Sequence, residues 1–236
     1  MRSSNGTVAA RDISSVSSWC LDLTVANQDS DNISILLGNV DGTFQTAVDY
    51  AAGDGPYYVA IGDLDGDSTP DLAVANRWSD NISILLGNGD GTFQAAVDFG
   101  AGSRPESVAL GDLNNDGILD LAVANNTSDN ISILLGNADG TFQARINYAA
   151  GSGPISIALG DLDSDGELDL AVANRYSDTV SIFINTTPPP TTPIDSDRSS
   201  GGSCFVTAGA HGNAMPEWFA VLQQFCRTVW GGLSGR

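Results

Sequence analysis

Basic residues are scarce in this sequence. Its 236 residues include only nine Lys or Arg against 29 Asp or Glu, which gives a formal net charge of −20 at pH 7. A chain with this charge is repelled by nucleic acids and by anionic membrane surfaces. We therefore expect neither nucleic acid nor an anionic membrane among its partners.

Cysteine, histidine and long apolar runs are equally sparse. Cys20, Cys204 and Cys226 are too few and too scattered for a disulfide framework. His211 is the only histidine, so a Ser-His-Asp or Cys-His site would depend on it alone, and we expect no enzyme activity. No run reaches the roughly 18 apolar residues of a membrane helix. Residues 1–15 lack the apolar core of a signal peptide, so either the protein is cytosolic or the chain begins inside a longer one.

The abundant residues indicate a folded chain. Hydrophobic residues make up 42% of the sequence, which is too many for a disordered acidic chain. The better interpretation is a folded protein whose acidic side chains bind something. This interpretation directs attention to how the acids are spaced.

A repeat of 49 residues organises most of the chain. Asp63, Asp112 and Asp161 are spaced by this period. The motif "DLAVAN" recurs at 71–76, 120–125 and 169–174, and "SDNISILLGN" recurs at 30–39, 79–88 and 128–137. The pattern covers residues 8–185 and then stops, so residues 1–185 are predicted to form the repeat domain.

Each repeat is predicted to contain about four short β-strands. In "NISILL", the residues Ile82, Ile84 and Leu86 alternate onto one face. The "LAVA" segment is apolar on both faces, which is typical of a strand buried between two layers. Asp90-Gly91 is a strong hairpin signal. Four antiparallel strands in 40–50 residues match one blade of a β-propeller, so we predict an all-β array of about four blades. A β-solenoid is the second choice.

A loop rich in Asp precedes each "DLAVAN" strand of the last three repeats. Carboxylates about 4 Å apart repel each other by roughly 1–4 kcal/mol, so four of them need a cation. Calcium takes 6–8 oxygen ligands in flexible loops, whereas magnesium requires stricter geometry and zinc prefers His or Cys. The predicted ligands are side chains at loop positions 1, 3, 5 and 9 and the main-chain carbonyl at position 7: Asp63, Asp65, Asp67, Thr69 and Asp71; Asp112, Asn114, Asp116, Ile118 and Asp120; Asp161, Asp163, Asp165, Glu167 and Asp169.

An ordinary turn and an EF-hand are the two alternatives to this calcium site. Asp, Asn and Gly are ordinary turn formers, so a single loop of this kind would be ambiguous, but three copies with one spacing favour a metal. An EF-hand requires a bidentate Glu at position 12, where this chain has Val74, Val123 and Val172. We therefore predict about three calcium sites that are not EF-hands.

The acidic loop, the "DLAVAN" strand and the following "ILLGNGDGTF" together resemble the FG-GAP and VCBS repeats, over about three quarters of the chain. The resemblance implies four-stranded propeller blades with calcium in the loop between two strands. It also implies an extracellular or cell-surface location and a role in adhesion or in binding a protein or glycan ligand. A structural spacer, or an accessory module of an enzyme, is the alternative role.

The sequence departs from this family pattern in two ways. The first repeat keeps Asp12 and Asp22 but has lost the intervening carboxylates and has two extra residues, so no strong calcium site is expected there. The family's propellers usually close with seven blades, whereas about four can be built here. The chain is therefore a fragment of a larger propeller, an open arc or a small ring. An open arc would expose edge strands that can pair with further repeats or chains.

The composition changes after the repeats. Residues 186–203 are rich in Pro, Thr, Ser and Gly, which predicts an extended linker. Residues 204–236 form a tail that resembles the "CFIATAAYGS" tail of some secreted bacterial proteins, which implies a surface-sorting role. The alternative is a helix docked on the propeller. An amphipathic helix is predicted there from five apolar residues at helical spacing: Trp218, Phe219, Leu222, Phe225 and Val229.

Overall fold

The protein is all-β. The computed structural model describes residues 8–11, 21–186 and 219–222, which form sixteen strands in four antiparallel sheets. Sheet 1 contains β1 (Val8–Arg11), β2 (Asp22–Asn27), β3 (Asn32–Leu36) and β4 (Val48–Ala51). Sheet 2 contains β5 (Pro56–Gly62), β6 (Asp71–Asn76), β7 (Asn81–Leu85) and β8 (Val97–Gly100). Sheet 3 contains β9 (Pro105–Gly111), β10 (Asp120–Asn125), β11 (Asn130–Leu134) and β12 (Ile146–Ala149). Sheet 4 contains β13 (Pro154–Gly160), β14 (Asp169–Asn174), β15 (Thr179–Asn185) and β16 (Phe219–Leu222).

The "DLAVAN" segments are the second strands of their sheets. All six residues of β6 and of β10 are buried, because both faces of these strands are covered. In sheet 2 the register pairs Leu72 with Leu85 and Asn76 with Asn81, and sheet 3 repeats the same register. The prediction of strands buried between two layers is thus confirmed for sheets 2 and 3, whereas in β14 Ala171 is partly exposed and Ala173 is exposed.

The sheets stack in chain order through two kinds of face. The front face of each sheet, which points to the next sheet, carries alanines of the second strand and isoleucines of the third; in sheet 2 these are Ala73, Ala75, Ile82 and Ile84. The back face, which points to the preceding sheet, carries the leucines and valines of the second and third strands. The front face of sheet 2 packs on the back face of sheet 3, represented by Leu121, Val123 and Leu134.

The same packing recurs at the other two junctions. Sheet 1 packs on sheet 2 and sheet 3 packs on sheet 4, with equivalent residues in each core cluster. One edge-to-face aromatic pair crosses each junction, and the three pairs are Tyr50–Phe93, Phe99–Phe142 and Tyr148–Phe183, with ring centroids 5.7, 5.3 and 6.4 Å apart. The predicted array of four four-stranded sheets is confirmed.

The first strands of successive sheets contact one another along this stack. β1 contacts β5, β5 contacts β9 and β9 contacts β13. The described strands thus form an open array rather than a closed barrel. None of the described segments is a helix with the length and hydrophobicity needed to cross a membrane.

The C-terminal tail differs from the sequence prediction where the structure describes it. Phe219–Leu222 form β16, which pairs antiparallel with β15, so the helix predicted over these four residues is wrong there. The physical reason is that the outer edge of β15 has unpaired backbone groups, and an extended segment satisfies them. The rest of the predicted helix, His211, the three cysteines and the linker from residue 187 lie outside the described residues.

Candidate metal centre

The three acidic loops join the first and second strands of sheets 2, 3 and 4. Each loop is curled by two residues in the left-handed region, at loop positions 4 and 6: Gly66 and Ser68, Asn115 and Gly117, and Ser164 and Gly166. Small or polar residues occupy these positions because a larger side chain is disfavoured at positive φ. The curl turns backbone N–H groups toward the start of each loop.

The aspartate at position 1 receives these N–H groups. Both carboxylate oxygens of Asp63 accept bonds, from Gly66 N at 2.8 Å and from Ser68 N at 2.9 Å. Asp112 accepts from Asp116 N and Gly117 N. Asp161 accepts from the backbone N–H groups of Ser164, Asp165 and Gly166. The carboxylate at position 1 is therefore held in place by backbone N–H groups of its own loop.

Positions 3 and 5 make shorter-range bonds of the same kind. Asp65 accepts from the N–H of Asp67 at 3.2 Å, and Asp67 accepts from the N–H of Thr69 at 2.7 Å. The pattern recurs at Asn114 and Asp116 and at Asp163 and Asp165. The N–H at position 7 thus donates to the carboxylate at position 5, and the ligand role of the position-7 carbonyl stays a prediction.

The aspartate at position 9 connects the loop to the next hairpin. Asp71 is fully buried, and its oxygens accept from Leu64 N and Gly87 N, both at 2.7 Å. Asp120 and Asp169 repeat this with Leu113 and Gly136 and with Leu162 and Asn185. In the first repeat Asp22 keeps one such bond, from Gly38 N at 2.8 Å. Position 9 thus has a structural role in addition to its predicted ligand role.

Two of the three loops bring acidic side chains together. Oxygens of Asp63, Asp65 and Asp71 lie within 4.8 Å of one another, and so do oxygens of Asp161, Asp163 and Asp165. Among the described residues the middle loop has no such acidic trio, because Asn114 replaces a carboxylate. The other predicted side-chain ligands, including Asp67 and Asp169, belong to the same loops but not to the trios.

Burial and mutual repulsion raise several carboxyl pKa values in these loops. The pKa of Asp71 is raised to about 6 by burial and by the charges of Asp65 and Asp67. Asp120 is likewise raised to a pKa of about 6, mainly by burial. The pKa of Asp65 and that of Asp163 are also raised, by desolvation and by neighbouring aspartates. A bound cation favours the ionised form and would reverse these shifts.

The aspartates of the "DGTF" turns provide a contrast. The pKa of Asp90 is lowered, because the hydroxyl and N–H of Thr92 donate to its carboxylate. Asp41 and Asp139 are in the same position in their repeats, and their pKa values shift in the same direction. These aspartates fit the turn-former interpretation. Asp67 in the first acidic loop behaves in the same way, because the hydroxyl and N–H of Thr69 lower its pKa. The loop aspartates with raised pKa values differ from this pattern.

The donor set of the loops fits calcium. Each loop supplies several carboxylate or amide oxygens, and none contains the His or Cys that zinc prefers. Oxygen-only, flexible, partly solvated loops are the environment that calcium accepts and magnesium disfavours. Two of the loops thus bring together acidic groups that could hold a metal ion.

One contact between loops could not be predicted from the sequence. The side-chain amide of Asn115 in the middle loop donates to the Glu167 carboxylate of the last loop. These residues are 52 positions apart and become neighbours only when sheets 3 and 4 stack. The middle and last acidic loops therefore contact each other at one end of the array.

The aromatic residues at the opposite end pack locally. The Trp78 ring lies against Gly55, and the Tyr176 ring lies against Gly153 in the equivalent turn. Both side chains remain exposed on their outer sides. Each ring therefore packs on a glycine of a neighbouring turn.

Comparison with known proteins identifies the repeat. The sequence model of the FG-GAP-like repeat matches three overlapping segments, residues 20–74, 63–123 and 112–172. No curated protein matches the chain significantly.

Solved structures show a related fold. A chain of "Crystal structure of BBS1N in complex with ARL6DN, soaked with lead" is similar to 77% of this chain at 18% identity, with a TM-score of 0.54 over 54% of its own length. A chain of "Crystal structure of an active polycomb repressive complex 2 in the basal state" covers 94% of this chain at 12% identity, with a TM-score of 0.42 over 58% of its own length. This chain thus spans somewhat more than half the length of either, and the first similarity shows a shared fold alone.

Proposed function

Because this chain belongs to the FG-GAP-like repeat family, we propose that it is a calcium-binding β-propeller-like module that works outside the cell in adhesion or ligand binding. About three calcium ions bind the loops that begin at Asp63, Asp112 and Asp161. Each ion offsets part of the negative charge of its loop and so stabilises the two strands that the loop joins.

The clustering of acidic oxygens is the observation that supports calcium most directly. Two trios of carboxylates converge within 4.8 Å, and the pKa values of Asp65 and Asp71 are raised first by burial and further by the charges of neighbouring aspartates. A dication converts that repulsion into attraction.

Thermal unfolding with and without a chelator tests the stabilising role. Each occupied site adds RT ln(1 + [Ca]/Kd) to the free energy of unfolding, about 1.4 kcal/mol at tenfold excess of calcium over Kd. We expect the melting temperature to rise with calcium and the rise to shrink in Asp63→Asn and Asp161→Asn. Asp90→Asn, which changes an acid outside the loops, should keep the full response. Superimposed melting curves in calcium and in chelator would contradict the proposal.

The location and the ligand are proposed from the family. FG-GAP repeats are typical of extracellular proteins, and millimolar extracellular calcium suits modules with Kd values of roughly 10⁻⁴–10⁻³ M. We propose a protein or glycan ligand, to be sought on protein and glycan arrays in millimolar calcium and again in chelator. Detection of the protein in the culture medium or on the surface of its native cells tests the location.

A structural spacer is the second candidate function. The buried bonds of Asp71 and Asp120 to adjacent hairpins favour it, since they show the loops serving the fold itself. Arrays that stay blank in calcium, together with calcium-dependent melting, would select the spacer over the binding module. In either role we propose no catalytic activity for this chain, although it can serve as an accessory to an enzyme domain.

A further inference from the structure

One interface is used three times in this array. At each junction the front face of one sheet covers the back face of the next, and the two faces are chemically different. Four sheets that stack in this way have one front face and one back face left over. These are the front face of sheet 4 and the back face of sheet 1.

The front face of sheet 4 is apolar and exposed. Val180 is 62% exposed, whereas Ile82 and Ile131 at the same position of sheets 2 and 3 are 0% exposed. Leu162 is also more exposed than its equivalents in the other sheets, at 51%. Its equivalents Leu64 and Leu113 are at 1% and 0%. Ala173 is exposed as well, while Ala75 and Ala124 are buried. The front face of sheet 4 thus carries the same kinds of residue that are buried at the junctions between sheets, but no described residue of the chain covers it.

The back face of sheet 1 is uncovered in the complementary way. Val8 is 61% exposed, whereas Val59 and Val108 at the equivalent position are 5% and 2% exposed. Phe44 is 43% exposed, and its equivalents Phe93 and Phe142, each of which pairs with an aromatic ring of the preceding sheet, are 7% and 8% exposed. Both halves of a fourth junction are therefore present on one chain and do not cover each other.

We propose that the front face of sheet 4 binds the back face of sheet 1 of a second copy of this chain. The contact is head-to-tail, so each copy contributes two different surfaces. Two copies that contact each other at both ends would close a ring of eight sheets, which is within the usual range of four to eight propeller blades. This association uses sheet faces and is distinct from the pairing of edge strands considered above.

Charge sets the conditions for association. Each copy has a net charge of −20, which repels a second copy at low ionic strength and is screened within about 8–10 Å at physiological salt. Because the proposed contact is apolar, salt and calcium should both strengthen it. This dependence separates it from contacts made by ion pairs, which salt weakens.

Mass measurement over a range of protein concentration tests the proposal. In physiological salt with calcium, sedimentation velocity or light scattering should show a dimer of the 24.4-kDa chain, or longer head-to-tail oligomers if the ring does not close. Val180→Asp and Phe44→Asp should each weaken association at least tenfold, since each places a charge in an apolar contact. Val97→Asp is the matched control, because Val97 is 56% exposed but lies on the outer strand of sheet 2.

Mixing the two variants tests the head-to-tail geometry. Val180→Asp retains an intact back face and Phe44→Asp an intact front face, so a mixture can form one undamaged junction and should give a heterodimer. Circular dichroism and calcium-dependent melting confirm that each variant is folded. A folded wild-type chain that stays monomeric at all concentrations overturns the proposal. It is also overturned if the mixed variants remain monomers, or if Val97→Asp disrupts association as strongly as Val180→Asp.

Discussion

Ser68 shows how single residues set the shape of the acidic loops. Its φ is 70°, in the left-handed region, while the equivalent residues of the next two loops are Gly117 and Gly166. A residue with a Cβ costs roughly 1–2 kcal/mol in that region relative to its usual conformation. Each acidic loop therefore holds one strained non-glycine residue, which is Ser68 at position 6 in the first loop and Asn115 or Ser164 at position 4 in the other two.

Replacing Ser68 by glycine should stabilise the protein. We expect Ser68→Gly to raise the free energy of unfolding by about 0.5–1 kcal/mol, because relief of strain exceeds the added entropy of the unfolded chain. Ser103→Gly, at a serine whose φ is not positive, should lower it instead. Chemical denaturation of both variants in chelator gives the comparison, and a destabilised Ser68→Gly would contradict the assignment of strain.

Gly55 shows a second constraint at this scale. Its φ is 67°, and a Cβ there would lie 2.5 Å from Cδ2 of Trp78. In the next repeat both residues of this pair differ. Arg104, with a φ of 58°, stands in place of the glycine, and Thr127 stands in place of the tryptophan. The Arg104 side chain lies 3.1 Å from Glu106, which also pairs with Arg77.

This pairing predicts a coupled effect of mutation. Gly55→Ala should destabilise the protein by more than about 1 kcal/mol, since it adds both strain and a clash. Introducing Trp78→Thr into the Gly55→Ala variant should restore the part of the lost stability that is due to the clash. A double-mutant cycle measured by chemical denaturation would show the interaction energy, and strictly additive effects would refute the steric coupling.

The sequence alone located the acidic loops, because their spacing recurs three times. It did not show that both oxygens of Asp71 and Asp120 would be held by backbone N–H groups, one of them 16 residues away. That bond depends on the register between the loop and the next hairpin, which spacing within the loop cannot reveal. The absence of an acidic trio in the middle loop followed from Asn114, which was visible in the sequence.

At the scale of the secondary-structure element, position-9 aspartates link each strand start to its neighbours. Asp120 begins β10, is fully buried, and bonds to Leu113 N and Gly136 N, each at 2.8 Å. Its pKa of about 6 lies above the ordinary value of 3.8. The folded state therefore retains a proton at Asp120 over a pH range in which the unfolded chain has lost it.

This difference predicts the pH dependence of stability in chelator. Between pH 4 and 6 the folded state binds more protons than the unfolded chain. The stabilising contribution of protonated Asp120 to the free energy of unfolding is therefore fully present below pH 4 and is lost as the pH rises to about 6. Relative to Asp120→Asn, which does not ionise, the wild-type free energy of unfolding should fall across that range. Calcium should reverse the trend by favouring the carboxylate. Chemical denaturation at four pH values tests this, and parallel curves for the two proteins would contradict it.

The strands were largely predictable from alternation, turn residues and the repeat. The exception is β16, where Phe219 and Leu222 fit helical spacing but belong to a strand. Periodicity within a short segment does not report the free edge of a distant strand, and pairing with β15 overrides local preference there. Long-range pairing of this kind has no signal in the 204–236 segment itself.

At the scale of the whole molecule, repetition of one unit leads the sheets to stack in one direction. The apolar front face of each sheet then covers the apolar back face of the next. The sequence could not decide between an arc, a ring and a fragment, because closure depends on small rotations at each junction rather than on composition. The structure shows the exposed end faces that follow from an open array. The proposals of association and of calcium binding rest on those faces and on the acidic loops.

Direct measurement of bound calcium tests the central claim most simply. Chelator-treated protein, dialysed against metal-free buffer and titrated with calcium in a calorimeter, should bind about three ions, the loop containing Asn114 most weakly. Asp63→Asn and Asp161→Asn should each remove one site, while Asp90→Asn should remove none. Folded wild-type protein that binds no calcium at millimolar concentration would show that the acidic loops are turns and not metal sites.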